Sequence, residues 1–180
     1  MRLLKREIYY FEKAGTENTD LVVEAIKKRV IEGDIKHVIV ASLSGKTALK
    51  LAEAIKGLDI QVVCVTGPPH YPNSDKVTEE NRKRLTELNG KIVDKTPSPF
   101  EGFEFSLARY GFTPATWAVL ETLEAIGGYG LKTAVEVAVM ATDAGEVPPF
   151  KEVIAVGGTA EPAGGADAAI VMGSTFSSTS

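Results

Sequence analysis

The sequence predicts an α/β protein whose mostly parallel sheet carries helices on both faces. Short β-branched runs alternate with longer segments of helical periodicity, which implies strand-helix units and a parallel sheet. The run Gln61 to Thr66, QVVCVT, has almost no polar interruption. That is the pattern of a strand buried on both sides.

In chain order, Ile8 to Phe11 is a β-branched and aromatic run predicted as a first strand, ending near Gly15. Thr19-Asp20 then opens a helix with Val22, Ala25, Ile26 and Val30 on one face, and Gly33 closes it. Val38 to Ala41 is the second strand, followed through Ser44-Gly45-Lys46-Thr47 by a helix bearing Ala48, Leu51, Ala52 and Ile55 at core spacing. Gly57 ends that helix, and QVVCVT is the third strand. After the proline-rich loop GPPHYPNS, Thr78 caps a helix with Leu85 and Leu88, Gly90 stops it, and KIVDKT is the fourth strand. The expected pattern is strand then helix, four times.

Beyond Thr96 the composition turns to Pro, Gly and aromatic residues, so PSPFEGFEFSLARYGF is expected to be irregular, with at most a short helix. Thr113-Pro114 begins a helix whose expected buried stripe is Val119, Leu120 and Leu123, up to Gly127-Gly128. GLKTAVEVAVMATDAG fits both a strand alternation and a helical spacing, and its length favours a helix. EVIAVGG and ADAAIVMG read as two strands joined by a glycine-rich loop. With no repeat and no boundary, residues 1–180 are expected to form one domain, with 174–180 a frayed tail.

Composition narrows the function. A net charge of -4 argues against a nucleic-acid partner, and Arg82-Lys83-Arg84 follows Glu79-Glu80 in the order that suits a solvated helix. The single Cys64, mid-strand, is expected to be a buried inert thiol and fits a reducing compartment. The start of the chain has no apolar run of signal-peptide length, and no stretch has the roughly 20 apolar residues of a membrane span. The expectation is a cytoplasmic protein without a membrane partner. Trp117 is expected in the core or at an interface, and a homo-oligomer is one expected assembly.

The most informative stretch is SGKT. A nucleotide-hydrolysing P-loop requires a glycine five positions before the Gly-Lys-Thr, and Val40 stands there. What remains is a helix N-terminus, where amides and the dipole favour an anion, with Gly45 allowing close approach, Ser44 and Thr47 adding hydroxyls, and Lys46 a charge. One phosphate fits such a turn. The competing account is a Ser44 helix cap and a solvated lysine.

Several stretches together resemble a known family. VIVASLSGKTALKLAEAIKGLDIQVVCVT resembles the C-terminal α/β domain of pyruvate kinase, in which a Ser-Gly-basic-Ser/Thr turn holds a phosphate of a sugar bisphosphate activator. With AGTENTD, GLKTAVEVAVMATDAG and EVIAVGGTAEPAGGADAAIV added, nearly the whole chain is similar to a stand-alone, mainly archaeal family of that fold. The resemblance implies a three-layer α/β/α sandwich, flavin mononucleotide (FMN) as cofactor in some members, and no established reaction. It departs at MGSTFSSTS, where relatives carry a further strand-like segment.

In a parallel sheet, ligands bind where the strands' carboxyl ends meet. Asn18, Thr19, Ser42, Ser44, Gly45, Lys46, Thr47, Thr66 and Gly67 all lie at such ends, which raises the phosphate account of SGKT above the cap. Gly157 and Gly158, with Gly164 and Gly165, form a second candidate loop, whose alternative is a plain hairpin connection. In the proline loop, His70 is a candidate acid or base and Tyr71 a candidate ring cover; a loop histidine without a partner is more often solvated. His37 looks structural, and no set of Asp and Glu has metal-ligand spacing. The leading expectation is a binder of a phosphorylated small molecule, FMN first. A regulatory sensor of a sugar phosphate or nucleotide, and a hydrolase or transferase using His70, are the alternatives, and whether the chain is an enzyme stays open.

Overall fold

The computed structural model describes residues 3, 5–67, 77–100, 107–159 and 164–177. Five strands make one sheet: β1 (His37–Ala41), β2 (Gln61–Val65), β3 (Lys91–Val93), β4 (Glu152–Gly157) and β5 (Ala168–Gly173). Their spatial order is β3-β2-β1-β4-β5, and every neighbouring pair is parallel except β4 with β5. Alternation along the strands sends Val38, Val40, Val62, Cys64, Ile154 and Val156 to one face, against α1 (Thr19–Val30), α2 (Lys46–Ala54) and α3 (Glu79–Glu87). Ile39, Val63, Val65, Val153 and Ala155 point the other way, onto α4 (Ala115–Asp143). The expected α/β architecture with a mostly parallel sheet and three layers is what the chain adopts.

Connectivity positions the site. The units β1-α2-β2-α3-β3 advance in one direction, and α4 then crosses the opposite face so that β4 lands on the free side of β1. Strand order therefore switches between β1 and β4, where Val40 pairs with Val156. The carboxyl ends of these two strands open the crevice in which α/β sheets bind ligands.

The structure corrects five local expectations. Ile8 to Phe11 is not a strand; Ile8 and Tyr10 are exposed, only Phe11 packs on the core, and no strand of the sheet pairs with the segment. Three strand-helix units stand where four were expected. The KIVDKT strand is only Lys91–Val93. Pro114 is the cap of α4 rather than its first helical residue. The stripe expected to be buried is not: Val119 is 47% exposed, and Leu120 and Leu123 are half-buried.

The reason lies at Gly127 (φ -146°) and Gly128 (φ 74°), which break α4 into two differently directed halves. Only the second half, with Ala134, Val137, Ala138 and Ala141, lies on the sheet. Its helical conformation follows the length argument. The β4-β5 hairpin also matches its expectation, with six residue pairs in register. Beyond β5, Ser174 is buried and its hydroxyl donates to the Pro148 carbonyl at 2.7 Å, so residues 174–177 are tethered to the fold.

Candidate functional site

The turn after β1 is built from its neighbours. The Ser42 amide continues the parallel pairing by donating to the Val65 carbonyl (2.9 Å), and the Thr66 hydroxyl donates to the Leu43 carbonyl (3.2 Å). From α3, the Asn81 side-chain amide donates to the Ser44 carbonyl (2.9 Å). These three bonds fix the backbone that leads into α2. The cap of that helix is Gly45, in the left-handed region at φ 80°, not Ser44, and Gly45 has no side chain to close the first turn. A Cβ there would lie 3.1 Å from Val77, so conformation and packing both select glycine.

Lys46 is exposed and Thr47 half-buried at the start of α2. Among the described residues Lys46 enters no ion pair, while its helical neighbour Lys50 binds Asp20. Amides without a helical partner, the positive end of a dipole and an unpaired ammonium thus share one turn. Thr66 and Gly67 flank it at the end of β2.

A second group forms around the start of α1 and the loop entering β5. Asn18 is buried, and its side chain donates to the Lys13 carbonyl (2.7 Å). The Thr19 hydroxyl donates to Thr16 (2.6 Å) and accepts from the Ala166 amide (3.0 Å). Asp167 Oδ2 accepts from the amides of Gly15 (3.0 Å) and Thr159 (3.2 Å), so one carboxylate ties the α1 entrance to the β4 exit. Gly157 is buried where any Cβ would stand 2.2 Å from the Gly130 carbonyl, and one on Gly158 would stand 2.3 Å from that of Gly165. Close packing of backbone on backbone accounts for both glycines.

The structure thus collects Ser42, Ser44, Gly45, Lys46, Thr47, Thr66 and Gly67 in one group, and Asn18, Thr19, Gly157 and Gly158 in another beside it. His70 and Tyr71 lie outside the described residues. Cys64 is fully buried; burial pushes its thiol up to about 12, and Sγ contacts the Ser42 carbonyl at 3.4 Å. His37 is held below its usual range by partial burial at the start of β1.

Sequence reasoning missed Lys132, only 6% exposed on α4, with Nζ 3.3 Å from Glu136 and 4.1 Å from the centre of the Tyr129 ring. Burial pulls its pKa down, but the Glu136 charge and the Tyr129 contact prevail and raise it, so the ammonium stays charged. Glu136 also accepts from Ser98, which pins the segment after β3 to α4. The available signal was Lys132 four residues before Glu136 in a largely apolar stretch of the helix.

A cleft lined by Ala52, Ile55, Ile60, Val62 and Leu88 lies at the opposite, amino edge of the sheet. No metal-binding group of His, Cys, Asp and Glu occurs among the described residues, and no described helix is long and apolar enough to cross a membrane.

No family model matches the chain. Among solved structures it is similar to Cryptosporidium parvum pyruvate kinase in complex with ADP, at 10% identity and a TM-score of 0.43. The similarity covers 91% of this chain and 24% of that one, so the chain spans about a quarter of the length of that enzyme.

Proposed function

We propose that this protein binds a phosphorylated small molecule at the carboxyl edge of its sheet, with the phosphate on the Ser44–Thr47 turn. The observation that carries the reading is Lys46, without an ion-pair partner among the described residues, at the start of α2, above the left-handed Gly45 turn and beside the strand-order switch. A phosphate monoester would accept from the first amides of α2 and from the Ser44 and Thr47 hydroxyls, and would pair with Lys46.

FMN is the ligand proposed first, on the strength of the sequence resemblance. Its phosphate suits the donors of the turn. For its ring, the exposed side of Tyr129, whose other contact is the Lys132 ammonium, supplies a stacking surface. Bound flavin would supply redox chemistry, while the chain would orient it and shield it from water. Titration calorimetry with FMN and with riboflavin tests the reading: FMN should bind at least tenfold more tightly. Equal affinity for riboflavin would overturn the phosphate site, and a purified protein that releases flavin absorbance on denaturation would identify the ligand.

A further inference from the structure

The sheet is bordered by two very different strands. β3, outermost on one side, is three residues long and begins at the exposed Lys91, the kind of short, charged border that resists pairing with another chain. β5, outermost on the other, runs for six residues, AAIVMG, with neither a charge nor a proline. One of its faces is used, since Ile170 and Met172 pack against the core beneath α4. Ala169, Val171 and Gly173, on the face that α1 to α3 cover elsewhere, are exposed.

Register decides which backbone groups of β5 are free. The Ser174 amide donates to the Lys151 carbonyl (2.8 Å), and Lys151 is the residue opposite it when the β4-β5 pairing is extended by one step. Bonded positions alternate along an antiparallel strand, so Met172, Ile170 and Ala168 turn their amides and carbonyls to β4. Those of Gly173, Val171 and Ala169 point outward, and no described strand receives them. Nor do the described residues after β5 turn back along it: the Ser177 amide donates to Asp143 Oδ1, at the C-terminal end of α4.

We propose that β5 pairs antiparallel with β5 of a second copy, so that two five-stranded sheets join in a two-fold symmetric dimer. The outward groups are symmetric about Val171. A two-fold axis there sets Val171 opposite its own image and Ala169 opposite Gly173 of the second copy, so that each outward donor meets an outward acceptor. Such a contact closes on two copies instead of growing into a filament. Beyond Gly173, Phe150 (79% exposed) and Phe176 (42% exposed) meet edge to face with ring centres 6.4 Å apart. Phe150 holds a left-handed φ of 60°, a strained conformation for an aromatic residue, and its amide is bonded to the Ser174 carbonyl. Antiparallel pairing places one such aromatic pair at each end of the joined strands. Their exposed rings supply about 250 Å² of apolar surface per copy. The six strand residues add to this, toward the roughly 600 Å² per copy at the lower limit of specific interfaces. A face of this size suits a dimer that dissociates on dilution.

Sedimentation equilibrium on the full chain should therefore show monomer near about 5 μM and dimer near about 500 μM. Amide hydrogen exchange in the unmutated protein should slow about tenfold or more at Ala169, Val171 and Gly173 between these concentrations, while Ile170 and Met172, already bonded to β4, stay constant. Val171→Lys puts a charge on an exposed side chain at the pairing axis, so it should keep the melting temperature of the dilute parent and lose the dimer. The exchange measurement decides the matter even where that variant fails to fold. A chain that stays monomeric throughout, a dimer in which the three outward amides exchange no more slowly, or a folded Val171→Lys variant that still dimerises would overturn the β5 pairing.

Discussion

The two edges of the sheet handle charge differently. At the amino edge, Arg6 pairs with Glu32 at 2.7 Å, Arg29 with Asp34 through both terminal guanidinium nitrogens, and Lys36 with Asp59 at 2.8 Å. Cations and anions there pair with one another. At the carboxyl edge Arg82 pairs with Asp94 at 3.0 Å and Lys50 with Asp20, but Lys46 has no anionic partner and Asp167 no cationic one among the described residues, and Asp167 Oδ2 accepts from backbone amides instead. Like the paired edge, this one is ordered by hydrogen bonds. It keeps capacity for an outside group because Lys46 and Asp167 are not paired with each other.

The largest expected effect tests whether glycine at the carboxyl edge serves the fold. Gly157→Ala places a methyl 2.2 Å from the Gly130 carbonyl and 2.7 Å from the Ala134 amide, both backbone atoms that cannot swing aside. Overpacking of this kind should cost about 3 kcal/mol, read as a lower urea midpoint in the absence of any ligand. An alanine variant of normal stability would show that this glycine is not selected by packing. Next is Lys46→Ala, which should leave the urea midpoint unchanged and weaken FMN by about 1.5 to 3 kcal/mol. A loss of stability without a loss of affinity would move Lys46 to the self-satisfied class of the amino edge.

Gly45→Val sharpens the contrast further. With φ at 80° and Val77 only 3.1 Å from the new Cβ, the substitution strains the turn whether or not a ligand binds, by about 1 to 3 kcal/mol. Combining it with Val77→Ala should recover the contact part and not the backbone part. Affinity of the double variant for FMN then reports on the phosphate cradle. If the double variant still binds FMN normally, the cradle is not at Gly45.

What could be read from the chain, and what could not, divides along physical lines. Strands β1, β2, β4 and β5 and the helices were legible because local periodicity and glycine stops agree with the tertiary packing. Ile8 to Phe11 has strand composition but lacks a partner strand, and pairing is a non-local property. The stripe Val119, Leu120 and Leu123 was misread because Gly127-Gly128, correctly seen as an end, also turns the preceding helix half away from the core. In the site, SGKT was legible from composition and position. The commitment of the glycine loop to Asp167 was not, since Gly15 and Asp167 are far apart in sequence and meet only through the β4-β5 hairpin.

The smallest effect belongs to the amino edge and concerns pH. The Arg29 hydrogen bonds hold the Asp34 carboxyl down at about 2 against an ordinary 3.8, with partial burial opposing and the charges of Arg29 and Arg6 assisting. A depressed folded-state pKa means that the unfolded chain binds the proton more readily, so the stabilisation is full above about pH 4 and disappears as pH falls toward 2. Because the Asp34 side chain is 41% exposed, solvent screening limits the contribution to under about 1 kcal/mol, and less in high salt. Asp34→Asn should therefore lower the urea midpoint slightly at pH 6, and the difference from the parent should vanish near pH 2. Nothing at the carboxyl edge should follow the same curve: FMN affinity at pH 6 should be identical in parent and variant, and a variant that bound FMN differently would mean that the two edges are coupled rather than independent.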